Sequence, residues 1–295
     1  MPEPFDVLVI GTGITGLSAA RQSLRDGLTT ATMESLFFGG LVTNINELSG
    51  EVGGSGSDLS AGLMMEISKL GVKNLTATAQ AIERDGEHLV VKSDSGSHRA
   101  RSVIVASGAR LRKLGVPGEA ELEEKGVSHC ADCDGPFYQG QDVVVVGGGD
   151  SALQEAIVLA EFARTVHLVH RGAKFRAQPQ LINRLAEHSN VAVRLNSQVE
   201  AVLGDDAVRG VKLLGGEELP CTGFFAYIGL EPVTGFVPEA IRRDAAGCIE
   251  TDPAMQTAMP GVFAAGAVRA GYGGMLSHAA AEGVAAAESA ATLLR

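Results

Sequence analysis

The chain contains no tryptophan, and aromatic residues make up only 4% of its 295 positions. It therefore has no indole platform on which a nucleobase or a sugar would stack. Positive charge is also scarce, with 24 Lys and Arg against 35 Asp and Glu and a formal net charge of −11. That balance argues against nucleic acid or an anionic membrane as the main partner, because both need a basic footprint. No apolar run approaches the roughly 18 residues of a membrane span. The longest runs, near residues 143–146 and 262–267, are strand-sized. The opening residues, Met1-Pro2-Glu3-Pro4-Phe5-Asp6, lack the basic and apolar regions of a secretory signal, so a cytoplasmic address is expected. Four cysteines are too few for a secreted disulfide framework. A single close pair in a reducing compartment points to redox or metal chemistry instead.

Glycine is abundant, at 38 residues, and the length suits about two domains. Asp6-Val7-Leu8-Val9-Ile10 is a short apolar run that leads into Gly11-Thr12-Gly13-Ile14-Thr15-Gly16. A helical pattern follows, with Leu17, Ala20 and Leu24 on one face. A second strand over residues 29–33 then ends at Glu34, where an acidic side chain can bind both ribose hydroxyls of an adenosine. A lone G-x-G-x-x-G is weak evidence, but the sequence strand, turn, helix, strand and acid makes it specific. The pattern recurs in Val143-Val144-Val145-Val146, Gly147-Gly148-Gly149-Asp150-Ser151-Ala152, a helix through Leu153, Ala156, Ile157 and Ala160, and a strand over residues 165–169. Two such units imply two dinucleotides, or one dinucleotide and a flavin. The second strand of this repeat runs into His170-Arg171-Gly172-Ala173-Lys174-Phe175-Arg176 and has no acid matching Glu34. Cations there suit a 2′-phosphate and hence NADP; a basic surface loop is the alternative reading.

Glycine and proline interrupt the pattern at Leu114-Gly115-Val116-Pro117-Gly118, and a polar break follows at Arg242-Arg243-Asp244-Ala245-Ala246-Gly247. The second unit lies between the breaks, so it is expected to be inserted into a first domain that resumes afterwards. Residues 1–114 and 244–295 would form one domain and 117–243 the other. Residues 102–109 read as a buried strand ending in a tight turn, and residues 276–294 as an alanine-rich helix. Leu63, Met64, Ile67 and Leu70 follow helical spacing as core residues, and residues 50–57 read as a flexible glycine-rich loop at the flavin or a dimer mate. Cys221 and Cys248 are expected to be buried small hydrophobes, and Arg242-Arg243 a solvated hinge.

Shortly before the second glycine turn stands Cys130-Ala131-Asp132-Cys133-Asp134. A C-x-x-C pair opens and closes a disulfide with little backbone movement, and its neighbours tune the thiol acidity. Structural zinc needs four ligands, and no second C-x-x-C or H-x-x-x-H is present, so no metal is expected. His129 reads either as a proton carrier or as a partly exposed turn histidine.

These stretches, together with Gly39-Gly40, Ala106-Ser107-Gly108-Ala109 and residues 261–266, resemble the low-molecular-weight thioredoxin reductases along essentially the whole chain. The resemblance implies an α/β protein of two Rossmann-like, three-layer ββα-type domains, one for FAD and an inserted one for NADPH that carries the C-x-x-C. It further implies a homodimer in which one domain rotates against the other between half-reactions. Gly11, Gly13, Gly16 and Glu34 would hold the FAD adenosine and pyrophosphate, with Gly39, Gly40, Ala106, Ser107, Gly108, Gly266, Ala267 and His278 also at the flavin. Gly147, Gly149, Ser151 and Ala152 would receive the pyridine nucleotide, with Arg171 and Arg176 at its 2′-phosphate. Cys130 and Cys133 would be the redox pair, Cys133 nearer the flavin and Cys130 attacking the partner, with Asp134 exchanging protons. Electrons would pass from NADPH through FAD to the disulfide and on to a thioredoxin-like protein or another disulfide substrate.

The chain departs from the family pattern at several positions. Leu41 replaces a glutamine, and the loop over residues 40–50 is shorter. Ala267 replaces the aspartate that binds the flavin ribitol, and Gly273-Gly274-Met275 replaces Tyr-Arg-Gln. His278 stands at a threonine position, either as a packing residue or as a partner of the flavin, and Gly172 replaces the second of two arginines. Groups around the ring tune flavin potential and oxygen reactivity. Three other readings therefore stand beside the reductase: a dithiol oxidase that passes electrons to oxygen, a flavoprotein reduced by another donor such as ferredoxin, and a flavin-bearing redox sensor without turnover.

Overall fold

The computed structural model describes residues 3–45, 48 and 54–295. In chain order the elements are β1 (Phe5–Ile10), α1 (Ile14–Arg25), β2 (Thr30–Glu34), α2 (Gly56–Lys69), β3 (Lys73–Thr76), β4 (Ala79–Asp85), β5 (His88–Ser93), β6 (Gly96–Val105) and β7 (Ala109–Leu111). Next come β8 (Val127–Ser128), α3 (Ala131–Asp134), β9 (Asp142–Gly147), α4 (Asp150–Ala160), β10 (Thr165–Val169), α5 (Pro179–Ala186), β11 (Val191–Arg194), β12 (Val199–Gly204), β13 (Val208–Leu213), β14 (Glu218–Pro220) and β15 (Gly223–Tyr227). The chain closes with β16 (Leu230–Pro232), β17 (Val262–Ala264) and α6 (Leu276–Leu294). It divides into two units, Met1–Arg110 with Glu231–Arg295, and Leu111–Leu230. The crossings β7 and β16 pair as a two-stranded ribbon. Among the described residues no helix is long and apolar enough to cross a membrane.

In the first unit β3, β2, β1 and β6 run parallel, and β6 changes partners along its length. Its first half pairs antiparallel with β5, from Ser93 opposite Gly96 to Leu89 opposite Ala100. Its second half pairs parallel with β17, from Val103 opposite Val262 to Val105 opposite Ala264. The strand thus belongs both to the parallel sheet and to the β4-β5 meander that covers it. Alternation of side chains along β1 then makes two cores. Val7 and Val9 face α1, α2 and α6 with Leu17, Ile67 and Ala286, while Leu8 and Ile10 face Met33, Leu89 and Val91. Burial on both faces explains why β1 reads as a continuous apolar run instead of an alternating one.

The second unit repeats the design. Its parallel sheet has the order β11-β10-β9-β15-β8, and β12-β13-β14 form a separate antiparallel layer. Val143 and Val145 pack towards α4 with Leu153 and Ala156, and Val144 and Val146 pack against Val202, Val211 and Leu219. In both units the glycine turn follows a parallel strand at its carboxyl end, β1 in the first and β9 in the second, the place where open α/β sheets bind ligands.

Several expected details differ. The chain re-enters the first unit at Glu231, ahead of the Arg242-Arg243-Asp244 break, because Val237 and Ile241 are buried in that unit's core. Arg243 is not part of a solvated hinge: its guanidinium donates to the Thr234 carbonyl at 3.2 Å and to that of Val237, and Arg242 pairs with Glu250 at 3.4 Å. Gly50-Glu51-Val52-Gly53 lies outside the described residues, but the neighbouring Ser55 is no loose loop. Its hydroxyl accepts from Asp58 N at 3.0 Å in a capping box that starts α2. Leu70 at the end of α2 is exposed. Cys221 is buried as expected, whereas Cys248 is half-buried in a turn, its N–H donated to Asp244 Oδ1 at 2.9 Å.

Candidate active site

The first glycine turn is shaped by close backbone approach. Gly11 has φ +100°, and a Cβ there would stand 2.4 Å from the Ala106 carbonyl oxygen, while one on Gly16 would stand 1.9 Å from that of Gly11. Gly13, by contrast, meets only the Gly39 oxygen at 3.7 Å and is the N-cap of α1, with no side-chain cap bond. The α1 N-terminus is thus left for an anion. Glu34, at the end of β2, accepts from Thr12 N at 3.0 Å and Thr12 Oγ1 at 3.2 Å, so its carboxylate is held beside the turn. Gly39 donates to the Thr12 carbonyl at 2.7 Å and lies in a bridge with Gly13, which brings Gly39 and Gly40 to the same place. Ala106 is buried beneath the turn. Ser107 is committed elsewhere, donating its hydroxyl to the Val233 carbonyl at 2.7 Å.

At the C-terminal edge of this unit, Gly266 has φ +75° and packs on Thr15. Its N–H goes to Glu282 Oε2 at 2.8 Å, and Glu282 also takes Arg269 Nε at 3.0 Å and Nη2. Burial opposes the charge on Glu282, but the bonds from Arg269 and Gly266 outweigh it and hold the carboxyl below its ordinary value. Sequence reasoning did not find this pair. Its one signal is an acid, Glu282, one turn beyond His278 in an alanine-rich helix. It leaves Gly266-Ala267 anchored although no carboxylate stands at 267. His278 is exposed, and its ring stands against Gly273, where a Cβ would meet Nδ1 at 2.3 Å.

In the second unit, Gly147 has φ +153°, and its Cβ would lie 2.4 Å from the Tyr227 carbonyl oxygen and 2.5 Å from Ala152 Cβ. Ala152 is fully buried and forms the floor of the turn. Gly149 is the N-cap of α4, with nothing within 4 Å of its virtual Cβ, and Ser151 is exposed beside it. The half-open cradle fits a pyrophosphate. Arg171, Lys174 and Arg176 are exposed at the end of β10. His170 is buried with its ring over Gly148, and its Nε2 would stand 2.8 Å from a Cβ at 172. This crowding explains Gly172: the imidazole takes the space that a second arginine would need for its Cβ.

The redox pair lies in the same unit. Cys130 and Cys133 are disulfide-bonded, with Cα atoms 5.3 Å apart. Cys130 is the N-cap of α3, where its Sγ accepts from Cys133 N at 3.2 Å. Cys133 is exposed and Cys130 half-buried, so access favours the sulfur that the resemblance assigns to the flavin side. Ser128 on β8 is buried; its Oγ donates to Asp134 Oδ2 at 2.6 Å and accepts from Cys130 N at 3.3 Å. One hydroxyl thus fixes both the expected acid and the first cysteine. His129 Nε2 is bonded to Glu123, which also takes Lys113 Nζ at 2.6 Å. Burial works against the Glu123 charge, but Lys113 and His129 hold its carboxyl below the ordinary value. Glu155 on α4 accepts from Ala131 N at 2.9 Å and from Tyr227 OH at 3.1 Å. Burial pushes its carboxyl up, against those two bonds. Neither Ser128 nor Glu155 was singled out from sequence.

A family model described as pyridine nucleotide-disulphide oxidoreductase matches residues 5–285. A thioredoxin reductase of Treponema pallidum is 37% identical over 100% of this chain and 98% of its own length. One from Listeria monocytogenes is 38% identical over 90% of this chain and 86% of its own. The crystal structure of Lactococcus lactis thioredoxin reductase superposes with a TM-score of 0.91 at 34% identity, covering 98% of this chain and 99% of that one. With the matched span carrying both glycine turns and the Cys130–Cys133 disulfide, the chain belongs to the pyridine nucleotide-disulphide oxidoreductase family.

Proposed function

We propose that the protein is a thioredoxin reductase: electrons from NADPH pass through FAD to the Cys130–Cys133 disulfide and on to a thioredoxin or thioredoxin-like protein. The observation that carries this is the placement of the disulfide, with Asp134 held at its side by Ser128 at 2.6 Å, in the unit that holds the second glycine turn. FAD, when bound, supplies the two-electron relay between the nicotinamide and the disulfide. Gly11, Gly13, Gly16 and Glu34 bind its adenosine and pyrophosphate, with Gly39, Gly40, Ala106, Ser107, Gly108, Gly266, Ala267 and His278 around it. Gly147, Gly149, Ser151 and Ala152 form the pyridine-nucleotide turn, and Arg171 and Arg176 take the 2′-phosphate.

Two electrons and two protons convert the disulfide to two thiols, and Asp134 delivers one of the protons. One cysteine thiolate then attacks a sulfur of the partner disulfide and expels the other partner sulfur as a thiolate. The second cysteine attacks the mixed disulfide, which restores the Cys130–Cys133 bond and releases the partner as a dithiol. A homodimer in the cytoplasm completes the reading.

The test is steady-state NADPH oxidation with thioredoxin as acceptor. Turnover that vanishes in Cys133→Ser supports the reading. No NADPH oxidation, together with oxygen consumption driven by dithiothreitol, identifies a dithiol oxidase instead. Turnover only with reduced ferredoxin assigns a different donor.

A further inference from the structure

The mechanism above leaves Glu155 without a task, although its carboxyl reaches the redox turn. Glu155 Oε2 takes the N–H of Ala131, and Cys130 Sγ takes the N–H of Cys133, so the carboxylate and the sulfur draw on backbone donors of one four-residue turn. The same oxygen receives the phenol of Tyr227, whose ring lies in the buried core beneath α4. The groups facing this turn are Asp132 and Asp134 on α3, His129 with Glu123 ahead of it, Tyr138 after it, Tyr227 on β15 and Glu155 on α4. Lys113 is paired with Glu123 at 2.6 Å. A carboxylate and a thiolate on one turn disfavour each other's charge.

We propose that Glu155, held by Tyr227, is a positioning residue of the redox pair that fixes the first turn of α3 and keeps the thiol of Cys130 less acidic than the turn alone would make it. This rests on the reading of Cys130–Cys133 as the redox disulfide. On reduction, a neutral thiol at Cys130 retains its proton until the partner arrives, and ionisation of that thiol is then the step that Glu155 opposes.

The experiment measures the pH dependence of alkylation at Cys130 by iodoacetamide, in which the thiolate sulfur bonds to the acetamide carbon and iodide leaves. It uses the full-length flavoprotein in a Cys133→Ser background, with peptide mass spectrometry reading Cys130 alone. Glu155→Gln, which still accepts the Ala131 N–H without the charge, should lower the midpoint by about one pH unit. Tyr227→Phe removes a bond that favours the charged carboxyl, so it should move the midpoint the same way by less. A midpoint in Glu155→Gln equal to or above that of the parent background, with unchanged circular dichroism, overturns the proposal. If Glu155→Gln does not fold, an unmoved midpoint in Tyr227→Phe overturns it equally. The readout involves neither NADPH nor turnover, so it can fail while the reductase reading stands, and the reverse.

Discussion

The two units use one backbone design and differ in what they place around it. Each has a parallel sheet with helices on one face and an antiparallel layer on the other, and each has a glycine turn at the end of a parallel strand, β1 or β9. At the end of the neighbouring strand the first unit has Glu34, bonded to Thr12, and the second has exposed Arg171 and Arg176. On the proposed reading, the turn makes a phosphate site in both, and the residue at the next strand end decides which nucleotide is accepted. The half-buried carboxyls differ as well. Glu282 in the first unit is paired with Arg269 and held below the ordinary value, whereas Glu155 in the second has no cation bonded to it among the described residues and is pushed up by burial.

The sharpest break of this comparison is at the disulfide, which only the second unit carries. Cys133→Ser should reduce thioredoxin turnover by at least about 10³-fold, since neither the ring disulfide nor the resolving thiol remains. NADPH-driven flavin reduction should persist, and stopped-flow absorbance separates the two.

Next in size is a contrast within the second turn. Gly147→Ala forces a Cβ to 2.4 Å from a backbone oxygen at φ +153°, and should cost about 1–3 kcal/mol or more of stability by urea unfolding. Gly149→Ala has open space and should unfold within about 0.5 kcal/mol of the parent. It should still raise the KM for NADPH about tenfold, because its methyl group enters the pyrophosphate cradle. Arg171→Ala should raise the KM for NADPH by about tenfold and leave that for NADH nearly unchanged. Equal losses for both cofactors would remove Arg171 from the 2′-phosphate.

The smallest effect concerns pH and has opposite signs in the two units. Glu282 is held below its ordinary value of 4.5, so it contributes stability in full above that pH and loses it as the pH falls through the folded value. Glu155 is raised above 4.5, so its contribution is present at low pH and is lost as the pH rises through the folded value. Glu282→Gln should therefore weaken the protein at pH 7 and flatten its acid limb. Glu155→Gln should leave it as stable or slightly more stable at pH 7. Chemical denaturation between pH 4 and 8 distinguishes these outcomes.

Much of this arrangement was legible in the chain. The strand at Thr165–Val169 and the helix at Leu276–Leu294 have the residue limits that periodicity predicts, because local pattern sets them. The glycine turns were legible because glycine at residues 11 and 147 is required by contacts that admit no side chain. The unit boundary was not, because re-entry depends on Val237 and Ile241 finding a core formed far away in sequence. The partners of Glu155 were hidden for the same reason: Ala131 lies 24 positions and Tyr227 72 positions away. A lone glutamate in a helix carries no mark of the backbone N–H it will meet.

On the proposed reading, the two units serve different nucleotides in series. Anaerobic titration of the FAD-loaded protein with NADPH tests this most directly. It predicts that two equivalents of NADPH together bleach the flavin band and yield two thiols at Cys130 and Cys133, and that NADH is much less effective. A flavin that stays oxidised under excess NADPH would contradict it.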